Sequence, residues 1–542
     1  MAGVKPTVHL LLPLLTLCAA GCGKPGVVPG TSPDPAPVQT PVAAPPAPVV
    51  AAPAPLPATP PAVPKDAAAG TLVVGGPAGA IAAYTGVNMG PAPAGKATFD
   101  LTGVYQERGL NLIRTDDFNG SFELAPLEPL APGAEPPAGT FDVTDKDEKL
   151  IFAGGFGIYL RLGNSYRTGV TQATNAQRLA AMITMFKHVQ GAAGEAHRIQ
   201  YVEVWNEPNN PHFWAETPAS YYELYIAAAK AIRALDPKVK IGGPAVTPAG
   251  ALLPRGRQFV ADFLREVKAA GAPLDFLSWH MYANDPASFS AAAETYRKMS
   301  IDAGFGDLDQ YVSEWNTSFR VPGDGPTERA PEGRGRAGGG GPRGGGGGGP
   351  RGERPPRGEA GGPGRRTEDG AAPDATAGDH APPEDVHDTE LRIGARASAL
   401  TTAQWIAMQQ SGVDQAFFYR GPDPQPYPST FYGMFYADGA PKPAGWAAIL
   451  WNRMMKHPTR LALGGTAAGP IWAIAGQNNA GEGAILLANA TAQPQPWSVL
   501  GIPSGRTPHG ARIVAPATSI EDVVAPATSG TLDPWEVRYL SW

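Results

Sequence analysis

The 542-residue sequence predicts an α/β fold, a (β/α)8 TIM barrel followed by a small C-terminal β-sandwich. Three observations carry that expectation. Beyond residue 72, eight runs of strand length alternate with longer segments of helical period, the pattern of a parallel sheet wrapped by helices. Polar clusters stand at the ends of several of those runs. After residue 458 the helical period stops, and short strands separated by Gly, Pro, Asn and Ser take its place.

The N-terminus precedes the fold. A basic start with Lys5, the apolar run "VHLLLPLLTLCAA" and small residues before Cys22 make residues 1–22 a bacterial secretory signal, too short to span a bilayer stably. "AAGC" resembles a lipoprotein signal-peptidase box, in which Cys22 is lipidated, becomes the first mature residue and draws membrane affinity from its acyl chains. Ordinary cleavage near Ala19 or Ala20 is the other reading. With Gly23 rather than aspartate after the cysteine, the expectation is an exported, membrane-anchored lipoprotein at the outer membrane or cell surface. Cys18 and Cys22 are the only cysteines, so everything downstream is held without disulfides or a cysteine-ligated metal. Residues 23–71 are rich in Pro and Ala and read as a disordered, semi-extended tether.

The barrel is expected over residues 72–457. Its strand candidates are "AAYTGVNMG", "LNLIRTDDF", "GIYLRLG", "IQYVEVWNEP", "KVKIGGPAV", "LDFLSWHMY", "QYVSEWN" and "DQAFFYRG". Helical spacing is clearest in "NAQRLAAMITMFKHVQG", "TPASYYELYIAAAKAIRAL", "GRQFVADFLREVKAAG", "TTAQWIAMQQSG" and a final "PAGWAAILWNRMMKH". Thr217 followed by Pro218 is a helix start. Residues 321–390 interrupt the pattern with a disordered insert. Arg329 to Arg366 holds nine arginines, three glutamates and no lysine, whereas Thr367 to Glu390 carries eight acidic residues and no Lys or Arg. A solvated loop that folds loosely on itself near the barrel mouth and a polyanion-binding arm are both open from composition. Residues 458–542, with "PIWAIAGQ", "GAILLANAT", "PWSVLGI", "ARIVAP" and "WEVRYLSW", form the sandwich, expected to pack against the barrel. The net charge of −6 supplies no global basic field, so nucleic acid is not expected as a partner.

In such a barrel the site gathers at the C-terminal ends of the strands. Asn206 and Glu207 end the fourth, His280 and Tyr282 share one face at the end of the sixth, and Glu314, Trp315 and Asn316 end the seventh. Glu207 and Glu314 can therefore face one another across the mouth. Two carboxylates suit glycosidic chemistry: one gives a proton to the leaving oxygen, and the other attacks the anomeric carbon or activates water. A separation of about 5–5.5 Å implies retention and one of about 6.5–9.5 Å inversion; the sequence leaves both open. Trp205, Trp279 and Trp315 are open to stacking on a sugar or to packing, and Trp315 is the candidate sugar contact.

"WNEPNN", "SWHMY" and "VSEWN", with "YYELYIAAAKAIRALDPKVKIGGPA" between them and "DGAPKPAGWAAI" before the last helix, resemble glycoside hydrolase family 39 of the clan A retaining enzymes over residues 100–455. The resemblance implies Glu207 as general acid/base, Glu314 as nucleophile and Asn206 as partner of the sugar hydroxyl next to the anomeric carbon. It further implies that Tyr282 orients Glu314, that His280 contacts a sugar hydroxyl, and that Arg114 and Asp116 stand where many members hold the terminal sugar with an arginine and a histidine. The aspartate departs from that pattern. The expected function is a retaining glycosidase acting on a carbohydrate at or near the cell surface, xylosidase-like or degrading exopolysaccharide. It needs no cofactor and no metal; oligomeric state is left open. The alternative is a catalytically inactive glycan-binding envelope lipoprotein.

Overall fold

The computed structural model describes residues 60–91, 100–116, 120–165, 171–317, 390–423, 431–465, 470–524 and 527–542. The expected signal with Cys22, most of the expected tether and the insert from 318 to 389 lie outside the described residues. Among the described residues no helix is long and apolar enough to cross a membrane.

The first strand, β1 (Thr71–Ala80), belongs to a second sheet described below. The eight strand-length runs then become β2 (Gly86–Asn88), β3 (Leu112–Arg114), β4 (Gly157–Leu162), β5 (Tyr201–Val204), β6 (Lys240–Val246), β7 (Phe276–Tyr282), β8 (Asp309–Asn316) and β9 (Gln415–Phe418). Each pairs in parallel with the next, and β9 returns to β2 to close the barrel. Around it run α1 (Thr102–Glu107), α2 (Asp142–Ala153), α3 (Asn175–Ala193), α4 (Pro218–Leu235), α5 (Ala249–Leu252), α6 (Pro254–Ala269), α7 (Ala287–Asp302), α8 (Ala395–Gln410) and α9 (Pro443–Met455).

The helix starts have local causes. Thr217 accepts a hydrogen bond from the Ser220 backbone with Pro218 in the first turn, and Thr174 forms a reciprocal capping box with Gln177 at the start of α3. Helix α6 buries Phe259, Val260, Phe263, Leu264 and Val267 at three- and four-residue spacing. Helices α2 and α7 escape the periodicity reading. In α7 the inward stripe of Phe289, Ala292, Ala293, Tyr296 and Ser300 is mostly small or polar, so its contrast with the outer face is weak.

On the barrel's inner face, side chains climb in steps of two, as a pleated strand requires. The lowest tier is an apolar and aromatic plug of Leu112, Tyr159, Tyr201, Phe276, Tyr311 and Phe417, with Phe276 and Tyr311 stacked at 4.3 Å between ring centroids. Two positions further along the same strands stand Arg114, Arg161, Glu203, Ser278 and Ser313, all buried. The interior thus changes from aromatic to ionic in one step, and the site rests on that ionic tier.

The second sheet contains β10 (Thr459–Gly465), β11 (Ile471–Gln477), β12 (Gly483–Asn489), β13 (Gln495–Leu500), β14 (His509–Ile513), β15 (Glu521–Val523), β16 (Ser529–Leu532) and β17 (Val537–Ser541). Its order is β15-β14-β17-β12-β11-β10-β1-β13-β16. Alternation divides its faces: Ala473, Ala475, Ile485, Leu487 and Leu540 join Leu72, Trp497, Val499 and Leu532 in its own core. Ile474, Leu486, Val537 and Tyr539 face the other way and join the core formed by the barrel helices. In that core Trp405 of α8 stacks on Trp451 of α9 at 5.3 Å. This corrects the boundary at residue 72. Strand β1 lies between β10 and β13, pairing antiparallel with one and parallel with the other. Residue Pro61, expected in the tether, lies against Gly75 and Gly464, where a Cβ would collide with it. A pairing that spans nearly the whole chain leaves no local signal to read.

Leu72 is buried at the centre of this sheet's core. Leu72→Ala is expected to lower stability by about 2–5 kcal/mol, measured by chemical denaturation followed through tryptophan fluorescence. An unchanged midpoint would place β1 outside the cooperative core.

Candidate active site

Two breaks in strand alternation build the site. Trp279 pairs with Val312, but the next residue, His280, pairs with Glu314, so Ser313 is an extra residue in β8. Strict alternation from Tyr311 would send Glu314 out among the helices and Trp315 into the mouth. The bulge reverses both: Glu314 turns inward, and Trp315 packs outside against Phe289, Trp405 and Phe418 at 6.1, 5.4 and 5.0 Å. At the end of β5, Trp205 has φ +75° and Glu207 φ +43°, left-handed conformations that cost of order 1–3 kcal/mol each. Hydrogen bonds hold them: Trp205 N donates to Leu162 O at 2.8 Å and Glu207 N to Ala245 O at 3.0 Å. The Trp205 indole donates to Phe213 O at 3.0 Å and meets Trp214 edge-on at 5.1 Å. The tryptophan is thereby turned out, and Asn206 and Glu207 come to the mouth.

Beneath them lies Arg114, fully buried. Its Nε donates to Glu203 Oε2 at 2.8 Å, and Nη2 reaches the same oxygen at 2.7 Å and donates to Asn206 Oδ1 at 2.6 Å. Nη1 donates to Asn88 Oδ1 at 2.9 Å and to Glu314 Oε1 at 2.7 Å. Tyr159 of the aromatic plug donates to the other Glu203 oxygen at 2.9 Å. Burial opposes the Arg114 charge, but Glu203, Asp116 and Glu314 more than offset it and hold its pKa well above the usual value.

The two carboxylates are close. Glu207 and Glu314 place ligand oxygens within 4.8 Å of one another and of the His280 ring. The His280 Nδ1 is 2.8 Å from Glu207 Oε1 and 3.4 Å from Glu314 Oε2. Tyr282 donates to Glu314 Oε2 at 2.8 Å. Both carboxylates keep a window to solvent, 13% for the Glu207 side chain and 7% for Glu314. Burial pushes Glu314 up to about 7; His280 and Arg114 pull it down, and Asp116 and Glu207 push it further up. For His280 burial acts downward, but Glu314 and Glu207 win and raise the imidazole above its ordinary value. Asp116 is also opposed by burial, yet Arg161, at 3.0 Å, and Arg114 hold it below the usual carboxylate range. Glu207, His280 and Glu314 could also surround a cation, but the Arg114 charge 2.7 Å from Glu314 opposes one there.

The structure brings Glu207, Glu314, Asn206, His280, Tyr282, Arg114 and Asp116 together at one mouth, and it gives three residues surroundings other than those expected. Trp315, expected on a sugar, is fully buried in the core because of the bulge. Arg114, expected to hold the terminal sugar, is sealed beneath the carboxylates and acts on them instead. His280, expected on a sugar hydroxyl, is fully buried and spans the pair. Trp205 and Trp279 also pack, the latter at 5.2 Å from Tyr296. Sequence reasoning missed Glu203, Asn88, Tyr159 and Arg161. Glu203 had a signal: a carboxylate between Val202 and Val204 in a strand buried on both faces needs an internal partner.

Fold and site together define a closed (β/α)8 barrel with a carboxylate pair at the ends of its fourth and seventh strands. Residues 166–321 match the profile of Glycosyl hydrolases family 39. Two curated relatives are named Beta-xylosidase. One, from Caldicellulosiruptor saccharolyticus, is 31% identical over 170 residues, covering 28% of this chain and 33% of that protein. The other, from Geobacillus stearothermophilus, is 28% identical over 144 residues, covering 23% and 27%. The chain thus spans about a third or less of the length of these relatives. A solved structure of a glucosidase from Croceicoccus marinus shares the fold with a TM-score of 0.60 at 21% identity, over 88% of this chain and 99% of that one.

Removing the buried cation tests the ionic tier. Arg114→Met leaves Glu203 unpaired and is expected to cost about 3–5 kcal/mol in urea denaturation. Adding Glu203→Met should recover much of that loss while Glu314 stays misplaced and the site inactive.

Proposed function

We propose that the protein is a retaining glycosidase that hydrolyses a β-linked glycoside of the xyloside or glucoside type. The observation that carries this reading is the carboxylate separation, within 4.8 Å between oxygens. It stands on the short side of the distances that distinguish retention from inversion.

The roles follow from the contacts. Glu314 attacks the anomeric carbon: Arg114 and Tyr282 each donate to one of its oxygens, favouring the ionised form and fixing its orientation. Glu207 gives its proton to the leaving oxygen as the glycosyl–Glu314 bond forms. After the aglycone departs, Glu207 takes a proton from water, and that water cleaves the covalent intermediate with overall retention. His280 holds Glu207 through Nδ1. Arg114 occupies the Asn206 carbonyl oxygen and leaves its amide NH2 to donate to the neighbouring sugar hydroxyl.

The xyloside or glucoside class is supported by the names of the relatives, two β-xylosidases and a glucosidase. Export and lipid anchoring at Cys22 belong to the proposal on the strength of "AAGC" alone. Labelling of cells with radioactive palmitate, lost in Cys22→Ala, is the expected result.

Purified protein is expected to release the aglycone from aryl β-xylosides or β-glucosides, with the retained anomer appearing first by proton NMR. Glu207→Gln and Glu314→Gln should each lower kcat/KM by roughly 10²-fold or more. First appearance of the opposite anomer would overturn the mechanism. Absence of glutamate-dependent turnover would favour a binding protein.

The pH profile is a further check. Glu314 must be ionised, so kcat/KM should rise with pH through about 7, where burial places its titration. Asp116→Asn removes a charge that pushes Glu314 up, so the acid limb should move to lower pH. Movement to higher pH would contradict the assignment.

A further inference from the structure

A second cluster of ligating groups lies outside the barrel, between helices α2 and α3. Asp145 and Glu148, three apart on α2, share one face of that helix. His188 of α3 points at them, its Nε2 2.7 Å from Asp145 Oδ1. One donor atom from each of Asp145, Glu148 and His188 lies within 4.8 Å of the others. The three line an open cleft of about 730 Å³. The His188 ring is fixed by a stack on Phe141 at 3.7 Å between centroids.

Glu148 is the anomaly. It is only 2% exposed, yet neither carboxylate oxygen has a hydrogen-bond partner among the described residues. Buried carboxylates are normally paired, hydrogen-bonded or bound to a metal. Lys149 and Lys187 line the same cleft and are exposed, and neither forms an ion pair with Glu148 among the described residues. The active site makes no use of this carboxylate.

We propose that Asp145, Glu148 and His188 form a binding site for a divalent transition-metal cation of the zinc type, tying α2 to α3. One imidazole nitrogen and two carboxylates are a frequent ligand set for such an ion, with a fourth position left for water. Calcium and magnesium fit less well, because they select all-oxygen shells of six or more ligands. Burial, together with Asp145 and Asp147, pushes Glu148 up to about 8, so a proton is the competing occupant and metal uptake should release it.

The test is titration of the purified full chain with Co²⁺, followed by visible absorption and by metal analysis after gel filtration. The expected result is saturable uptake of one equivalent with the intense band of a low-coordinate ion, stronger at pH 8 than at pH 6. Zn²⁺ should displace it. The band should be lost in Glu148→Gln and in His188→Ala, with circular dichroism confirming their fold, and kept in Glu207→Gln. Binding that survives both cluster variants, or that disappears with Glu207→Gln, would assign the ion elsewhere and overturn the proposal. Absence of saturable uptake would leave Glu148 as a buried protonated acid and overturn it equally. Glycosidase activity plays no part in this readout.

Discussion

The Arg114 guanidinium is the interaction on which the barrel mouth depends. A guanidinium has five N–H donors, and here four hydrogen bonds and a further 2.7 Å ion-pair contact run to Glu203, Asn206, Asn88 and Glu314. Those acceptors come from β2, from β5 and the turn that ends it, and from β8, while Arg114 itself ends β3. One cation therefore ties distant parts of the barrel ring to a common point. Taking such an ion out of water costs several kcal/mol, and the cost is offset only if every acceptor is in place. The group contributes position more than net stability: with it seated, Glu314 and the Asn206 amide have one orientation each.

The same cation sets the charge state above it. Glu314 stands between opposed influences, with burial, Asp116 and Glu207 pushing it up and His280 and Arg114 pulling it down. His280 answers in the opposite sense, raised by the two carboxylates it touches. Glu314 and the imidazole therefore influence one another's titration. Two like charges within a few ångströms do not both ionise readily, which is the push that Glu207 exerts on Glu314.

Much of this was legible in the chain. All eight barrel strands followed from apolar runs of the right length, and Glu207, Asn206 and Glu314 followed from polar residues at strand exits. What was not legible shares a physical character. Periodicity assumes a residue pitch of two, and the site violates it twice, at Ser313 and at Trp205. Trp315 was expected on a sugar because it flanks Glu314 at a strand exit, which does not reveal which way each of two successive residues turns. Had alternation held, Glu314 would have been the residue turned away from the mouth, so the tryptophan's burial and the carboxylate's exposure are one event. Arg114 was placed at the correct strand end but given the wrong partner, since sequence shows a strand end and not its depth. Strand β1 and the Glu203 floor depend on contacts remote in the chain.

Asp116 extends the ionic network beyond Arg114. It stands where many members of the family the sequence resembles place a histidine, and in this protein it is paired with Arg161 as well as Arg114. Arg161 in turn reaches Glu123 at 3.2 Å, and Glu123 accepts from Ser165 N at 2.7 Å. Asp116 is therefore the middle member of a chain of alternating charges running from Glu314 through Arg114, Asp116 and Arg161 to Glu123 and the loop beyond β4. A histidine can donate to a sugar hydroxyl; an ionised aspartate can only accept from one. The same charge raises the pKa of Glu314 beside it, so the ion pairs that hold Asp116 also bear on the proton balance of the barrel mouth.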